Sequence, residues 1–262
     1  MSRFALTGKA AVVTGGGSGI GRATVLALAE QGAAVTIADF DAAKGEAVAA
    51  EVRAAGGKAV FVKTDVTKEA DGKAMVDACV TAFGRLDVLV NNAGIVLPGT
   101  AVSTAEADWD KLFAVNVKGV FLCCKAAVPQ MVKQGGGSIV NMASVAGLTA
   151  VKERLGYCAT KGAVIAMTRA LAIDHVAEKI RVNCVCPGTV HTPLVEGYIK
   201  QYYEPQGKKR EDVLQMLDAR QPMGRMAQPD EIASAVAYLA SDAAGFITGT
   251  ELIIDGGWIG AR

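Results

Sequence analysis

The sequence predicts an α/β fold in which one parallel sheet is doubly wound, with helices on both faces. Three observations carry this. Seven short apolar runs, rich in valine and isoleucine, recur along the 262 residues. Longer stretches with apolar residues at helical spacing fill the gaps between them. No Pro/Gly/Ser-rich linker, composition break or internal repeat divides the chain, so one domain is expected over 1–262.

The first run, AAVVT at 10–14, lacks strict alternation, as a strand covered on both faces of a parallel sheet does. A helical pattern at about 20–31 leads to AVTIA at 34–38, and a second at 42–55 leads to AVFV at 59–62. A third helix over 68–82 precedes LDVLV at 86–90. The long stretch 105–133 precedes SIVNM at 138–142, and 156–177 precedes IRVNCV at 180–185. A helix at 229–240 and ELII at 251–254 close the series. Right-handed crossovers between such strands put helices on both faces. Residues 188–227 alone break the rhythm, being polar, aromatic and charged. Loops of that size are functional or carry helices of their own, so two short helices and a mobile lid are expected there.

Hydrophobic residues make up 51% of the chain and charged ones 20%, enough for one large core. Lys+Arg (27) and Asp+Glu (26) nearly cancel, so no global field recruits nucleic acid or an anionic membrane, and neither is expected as a partner. The opening MSRFALTGKAAVVTGG holds no apolar stretch of signal-peptide length, and no uncharged run of about 18 residues follows. A soluble, cytoplasmic protein is the expectation. Cys79, Cys123, Cys124, Cys158, Cys184 and Cys186 form no CxxC pair and lie mostly in apolar stretches, which points to buried free thiols. His175 and His191 are too isolated for a metal centre, and no metal is expected.

TGGGSGIG at 14–21 follows the first strand and opens the first helix. Glycine permits positive φ and close approach of a ligand, and the first-turn amides of a helix face a pyrophosphate. Gly15, Ser18, Gly19, Ile20 and Gly21 are the candidate cradle, at the junction where a dinucleotide site is expected. Asp39 ends the second strand, 18 residues after Gly21. A carboxylate there accepts hydrogen bonds from ribose hydroxyls and repels a 2′-phosphate. With no Arg or Lys in 14–21 and Phe40 following Asp39, NAD is favoured over NADP; the plainer alternative is a solvated turn aspartate. GYCATKGAV at 156–164 puts Tyr157 and Lys161 one helical turn apart on one face, an arrangement also common on ordinary amphipathic helices.

With TGGGSGIG, NNAG at 91–94, Asn116, Ser144 and Tyr157-x-x-x-Lys161 in this order, the chain resembles the short-chain dehydrogenase/reductase family. The likeness runs on through PGTVHTP at 187–193 to DGG at 255–257. It implies a seven-stranded Rossmann-type domain, usually a homotetramer, that binds NAD and a small-molecule substrate. It also implies that NNAG supports the central sheet with Asn92 near the cofactor, that Asp65 and Val66 flank the adenine, and that Val190 and Thr192 hold the nicotinamide carboxamide.

The same likeness makes Asn116, Ser144, Tyr157 and Lys161 the catalytic set, and the physical chemistry agrees. A free phenol has a pKa of about 10, too high for an efficient base near neutrality. An ammonium beneath it favours the phenolate and is expected to lower that value. Tyr157 is then the acid/base, and Lys161 its electrostatic partner and a ribose ligand. Ser144 can hydrogen-bond the substrate oxygen whose charge changes in the transition state. Asn116, in the family pattern, holds a water linking Lys161 to solvent; its plainer role is to bond a neighbouring carbonyl.

Two arginines bear on the substrate. Arg154 stands three residues before Tyr157, and Arg220 ends the lid. Arginine's planar fork suits two-point binding of a carboxylate. The plainer readings are a solvated charged loop at Lys152, Glu153 and Arg154, and a salt bridge from Arg220 to Asp218. The pattern around both resembles the branch of cytosolic-type 3-hydroxybutyrate and 2-keto-3-deoxy sugar-acid dehydrogenases, which hold the substrate's acid group with arginines at these places. The chain departs from that branch in Tyr198, where a lid arginine is usual, and in a longer segment after Asp39. An anionic hydroxylated substrate is expected, with a neutral sugar, polyol or secondary alcohol as the alternative. A catalytically silent NAD-sensing protein is the remote one.

Overall fold

The computed structural model describes residues 4–261; residues 1–3 and 262 of the expected domain lie outside them. The strands β1 (Ala10–Thr14), β2 (Ala34–Asp39), β3 (Ala59–Lys63), β4 (Val88–Asn91), β5 (Gly137–Met142), β6 (Ile180–Pro187) and β7 (Glu251–Ile254) form one sheet. All pairs are parallel, in the order β3-β2-β1-β4-β5-β6-β7. Val12 of β1 sits between Thr36 and Leu89, so the strand carrying the glycine loop is central.

Helices α1 (Gly19–Glu30), α2 (Ala42–Ala54), α3 (Glu69–Phe83), α4 (Glu106–Phe113), α5 (Gly119–Lys133), α6 (Leu155–Asp174) and α9 (Pro229–Ala240) cover the sheet. Side chains of β1 alternate between two cores. Ala11 and Val13 join Leu28 of α1, Val48 of α2 and Val236 of α9. Ala10 and Val12 join Met75 of α3, Cys123 of α5 and Val164 of α6. Burial on both sides is why the run reads as continuously apolar. Capping accounts for several helix starts: Asp41 accepts the Lys44 N–H at α2, and Gln228 and Glu231 form a capping box around Pro229 at α9.

The expected helix over 105–133 is α4 and α5 joined by a π turn, Ala114–Lys118, that carries Asn116. By composition Glu106–Lys133 is long and apolar enough to cross a bilayer, with mean hydropathy 1.5 over its best window. In this fold Leu122, Cys123, Cys124, Ala127 and Met131 of that stretch are buried inside the protein.

The two helices expected in the lid are α7 (Pro193–Tyr198) and α8 (Arg210–Asp218), with a π turn (Ile199–Tyr203) and a 3-10 turn (Glu204–Gln206) extending α7. Ile199, Tyr203, Val213, Leu217 and Met226 form a small third core beneath it. Its base is pinned where the His191 N–H meets the Ala227 carbonyl (2.9 Å) and the Ala227 N–H meets that of Thr189 (3.0 Å).

A buried polar chain ties the middle of the sheet to α6. Asn91 Nδ2 donates to Asn141 Oδ1 (2.8 Å), and Asn141 Nδ2 donates to Thr168 Oγ1 (2.9 Å). Asn141→Ala leaves the Asn91 amide in the interior with only its weaker bond to Cys124 Sγ (3.3 Å). Urea denaturation of this variant is expected to give a loss of about 1–3 kcal/mol, the cost of under-satisfying buried polar groups.

Candidate active site

The carboxyl ends of the central strands open on a cleft of about 800 Å³. It runs from Asp39, Phe40 and Asp65 past the glycine loop to Ser144 and Tyr157, and ends beneath the lid. This is the switch point, where the order turns from β1 toward β2 on one side and β4 on the other.

The glycine loop has the shape its sequence requires. Gly15 (φ +63°) and Gly19 (φ +51°) adopt left-handed backbone, and a Cβ on Gly21 would meet the Gly15 carbonyl oxygen at 2.0 Å. Ser18 gives α1 no side-chain cap, so its first-turn amides remain available where the cleft meets the helix. Asp39 is fixed by the Gly17 N–H (2.8 Å) and the Asp41 N–H (2.9 Å). Asp65 accepts from the Thr67 hydroxyl (2.7 Å) and N–H (3.1 Å); the hydroxyl bond, with help from Lys68, holds its carboxyl below the usual range. Val66 lines the same end, and Val190 and Thr192 line the other. A long cleft with a glycine cradle midway and a fixed carboxylate at one end fits a dinucleotide.

Asn92 acts as a strut for this loop. Its Nδ2 donates to the carbonyls of Thr14 (3.0 Å) and Gly15 (3.1 Å), while the Thr14 hydroxyl accepts the N–H groups of Asn92 (3.0 Å) and Ala93 (3.1 Å). Thr14 was not singled out in the sequence; the TG step ending β1 is its only signal there.

Tyr157 and Lys161 share a face of α6, with Nζ 5.6 Å from the phenol ring centroid. Nζ donates to the Met142 carbonyl at the end of β5 (2.7 Å). Only 5% of Lys161 is exposed, and burial pushes its pKa down to about 8 against a smaller opposing effect of the Cys186 and Cys184 thiols. The phenol departs from expectation. Burial pushes Tyr157 up, outweighing the Ser144 hydrogen bond and the charge of Arg154, which both pull it down. The spacing of tyrosine and lysine pointed the other way. Nζ, however, lies over the ring and is held by Met142, while the desolvated phenolate is penalised.

Asn116 has every polar atom engaged. Its Oδ1 accepts the Ile95 N–H (2.9 Å), and its Nδ2 donates to the Ile95 carbonyl (2.9 Å) and Thr160 Oγ1 (3.2 Å). The plainer role, bonding a nearby carbonyl, is therefore in place. Gly94, unremarked in the sequence beyond its motif, lets the chain pass close to both: a Cβ there would be 3.3 Å from Asn116 Oδ1 and 3.7 Å from Lys161 Nζ.

Neither arginine follows its plainer reading. Lys152 is exposed, but Arg154 is only 8% exposed and lines the cleft. It donates to the Glu153 carbonyl (2.6 Å), and among the described residues it makes no ion pair with an acid. Arg220 is half-buried and also makes no ion pair among these residues; Asp218 instead accepts the Met226 N–H (2.7 Å). The Arg220 guanidinium lies 5.7 Å from the Trp258 ring. Trp258, not singled out in the sequence, is buried and lines the cleft. The cysteines are free thiols, all buried except the half-buried Cys158.

A family model described as enoyl-(acyl carrier protein) reductase matches residues 15–259. The chain belongs to the short-chain dehydrogenase/reductase family. It is an oxidoreductase that transfers a hydride between a nicotinamide cofactor and a CH–OH carbon of a small molecule. A cis-4-hydroxycyclohexanecarboxylate dehydrogenase of Sinomonas cyclohexanicum is 43% identical to it, over 95% of this chain and 96% of its own. A 2,5-dichloro-2,5-cyclohexadiene-1,4-diol dehydrogenase of Sphingobium indicum is 42% identical, over 97% of both. The crystal structure of a short-chain type dehydrogenase/reductase from Mycobacterium marinum superposes with TM-score 0.89 and 36% identity, over 97% of both chains.

In this short-chain dehydrogenase/reductase the buried ammonium leaves a signature in stability. The folded pKa of Lys161 lies below its ordinary value of 10.5, so charging it penalises the fold fully below about 8 and not at all above 10.5. Lys161→Met removes that penalty. Its melting temperature relative to the unaltered protein is expected to be highest near pH 7 and to fall by several degrees as the pH rises through 10.5, read by scanning fluorimetry.

Proposed function

We propose that this dehydrogenase uses NAD to interconvert a hydroxylated carboxylic acid and its keto form. The observation that carries the reading is Arg154, a buried guanidinium without a carboxylate partner, in the same cleft as Ser144 and Tyr157. A buried charge left unpaired is costly, and an acid group on the substrate would relieve it. Arg220 and Trp258 close the far side of that space, one polar and one apolar.

NAD, when bound, supplies the hydride acceptor. The residues handle the proton and the charge. Ser144 and Tyr157 together receive the substrate oxygen. The burial-raised phenol is neutral in the free protein, ready to donate to a carbonyl oxygen in the reductive direction. In the oxidative direction it must first lose its proton, and the positive charges of Lys161 and Arg154 favour that loss. Exposed Phe121 on α5 and Ile173 on α6 support assembly with further copies of the chain, a homotetramer by the family pattern.

Asp39, held by two backbone amides, favours NAD over NADP because a 2′-phosphate would meet its carboxylate. Asp39→Ala is expected to lower the NAD+ to NADP+ ratio of kcat/KM by about tenfold or more, roughly 1.4 kcal/mol. For the substrate, NAD+ reduction is measured with 4-hydroxycyclohexanecarboxylate and 3-hydroxybutyrate, each beside its neutral amide. The acids are expected to be preferred, and Arg154→Ala to raise their KM by about 10- to 100-fold, the loss of a charge-assisted contact. Preference for the amides, with KM unmoved in that variant, would transfer the assignment to a neutral alcohol.

A further inference from the structure

We infer that Tyr198 is a positioning residue: its ring face holds the Arg154 guanidinium in the orientation that receives an acid group. Selectivity for charged substrates is thereby lodged in the lid. The inference rests on the acid-substrate reading of Arg154 given above.

Arg154 and Tyr198 come from separate parts of the chain and meet over the cleft. The guanidinium carbon lies 4.2 Å from the Tyr198 ring centroid and 5.7 Å from that of Tyr202. Tyr198 is itself held on two sides, stacked on Tyr202 (5.1 Å, 23°) and edge-on to Tyr203 (5.4 Å, 90°). The ring is thus a fixed surface. Its buried hydroxyl makes no hydrogen bond of good geometry, although Arg154 comes near enough to oppose the upward push of burial on it; the ring face, 4.2 Å from the guanidinium carbon, is the closer-defined surface.

The other restraints on Arg154 act close to its backbone. Gly99 pairs with it through the Gly99 N–H to the Glu153 carbonyl (3.0 Å) and the Leu155 N–H to the Gly99 carbonyl (3.2 Å). Its head group has the Glu153 carbonyl as its hydrogen-bond partner, a neutral one. A side chain with arginine's rotamer freedom is poorly fixed by that alone. An aromatic face at 4.2 Å supplies the missing restraint and leaves the remaining edge donors free.

The adjacent acid is kept occupied by the same lid. Glu153 adopts left-handed backbone (φ +58°), and its carboxylate accepts the Tyr202 hydroxyl (2.8 Å) rather than pairing with Arg154. An ion pair there would compete with an acidic substrate for the guanidinium. One lid tyrosine orients the arginine while its neighbour occupies the competitor.

The test compares Tyr198→Leu, Tyr198→Phe and Arg154→Ala, with 4-hydroxycyclohexanecarboxylate and its carboxamide as paired substrates at saturating NAD+. Cyclohexanecarboxylate, which lacks the reacting hydroxyl, is titrated calorimetrically into the protein–NAD+ complex to read the acid contact without turnover. Leucine keeps bulk in the lid, and its melting temperature reports whether the lid core survives. The acid-over-amide ratio of kcat/KM is expected to fall about tenfold in Tyr198→Leu, through KM, with matching loss of cyclohexanecarboxylate binding; phenylalanine restores most of both. Equal losses on acid and amide would reduce Tyr198 to lid packing and overturn the inference. So would a phenylalanine variant as impaired as leucine, since the hydroxyl would then be responsible. An Arg154→Ala variant that keeps the ratio sinks the acid-substrate reading itself. Collapse in Arg154→Ala with Tyr198→Leu unaffected removes only the role of Tyr198.

Discussion

A charged amine taken out of water organises this molecule's working end. Lys161 is held by the Met142 carbonyl, so the last residue of β5 and the second turn of α6 are fixed to each other through the ammonium. The turn between them, Val145–Gly147, packs so closely that a Cβ on Gly147 would lie 2.6 Å from the Lys161 carbonyl carbon. That closeness brings Ser144, at the head of the turn, against Tyr157. Burying the amine opposes its protonation, which is a cost to folding and a source of field in the cleft. A hydrophobic side chain would suit the fold better there, so the lysine's presence is explained by chemistry rather than by stability.

The same trade recurs at Arg154. Most buried guanidinium groups are matched with carboxylates. Here the adjacent glutamate is turned to a lid tyrosine and the guanidinium faces aromatic rings. At the opposite end of the cleft the carboxylate of Asp39 is the fixed charge, gripped by backbone amides. The cleft therefore has a negative pole at the Asp39 end and positive groups beside Ser144 and Tyr157, joined by the uncharged glycine loop.

Most of the architecture was legible before any coordinates, and for a specific reason. Strands covered on both faces give unbroken apolar runs, and Val12 and Val13 show the two destinations of such a run in adjacent residues. Helix α9 was readable to the residue because Pro229 and the Gln228–Glu231 box mark its start. The π turn at 114–118 was not, since its residues continue the apolar pattern of the helices on either side. Within the site, spacing identified Tyr157 and Lys161 as neighbours but carried no information on desolvation, which decides the direction of the phenol's shift. Arg154 was legible as a candidate, but the solvated-loop alternative for Lys152-Glu153-Arg154 could not be discarded, because composition does not reveal that the last of the three is buried. Trp258 escaped for the same reason: its place in the cleft depends on a contact across the fold, with nothing local to announce it.

The lid's private core has an evolutionary corollary. Ile199, Tyr203, Val213, Leu217 and Met226 are shared with neither of the cores that sandwich the sheet. Substitutions among them change what the cover admits while the foundation that grips the nucleotide keeps its own packing. A scaffold divided in this way can diversify its diet by tinkering with the canopy.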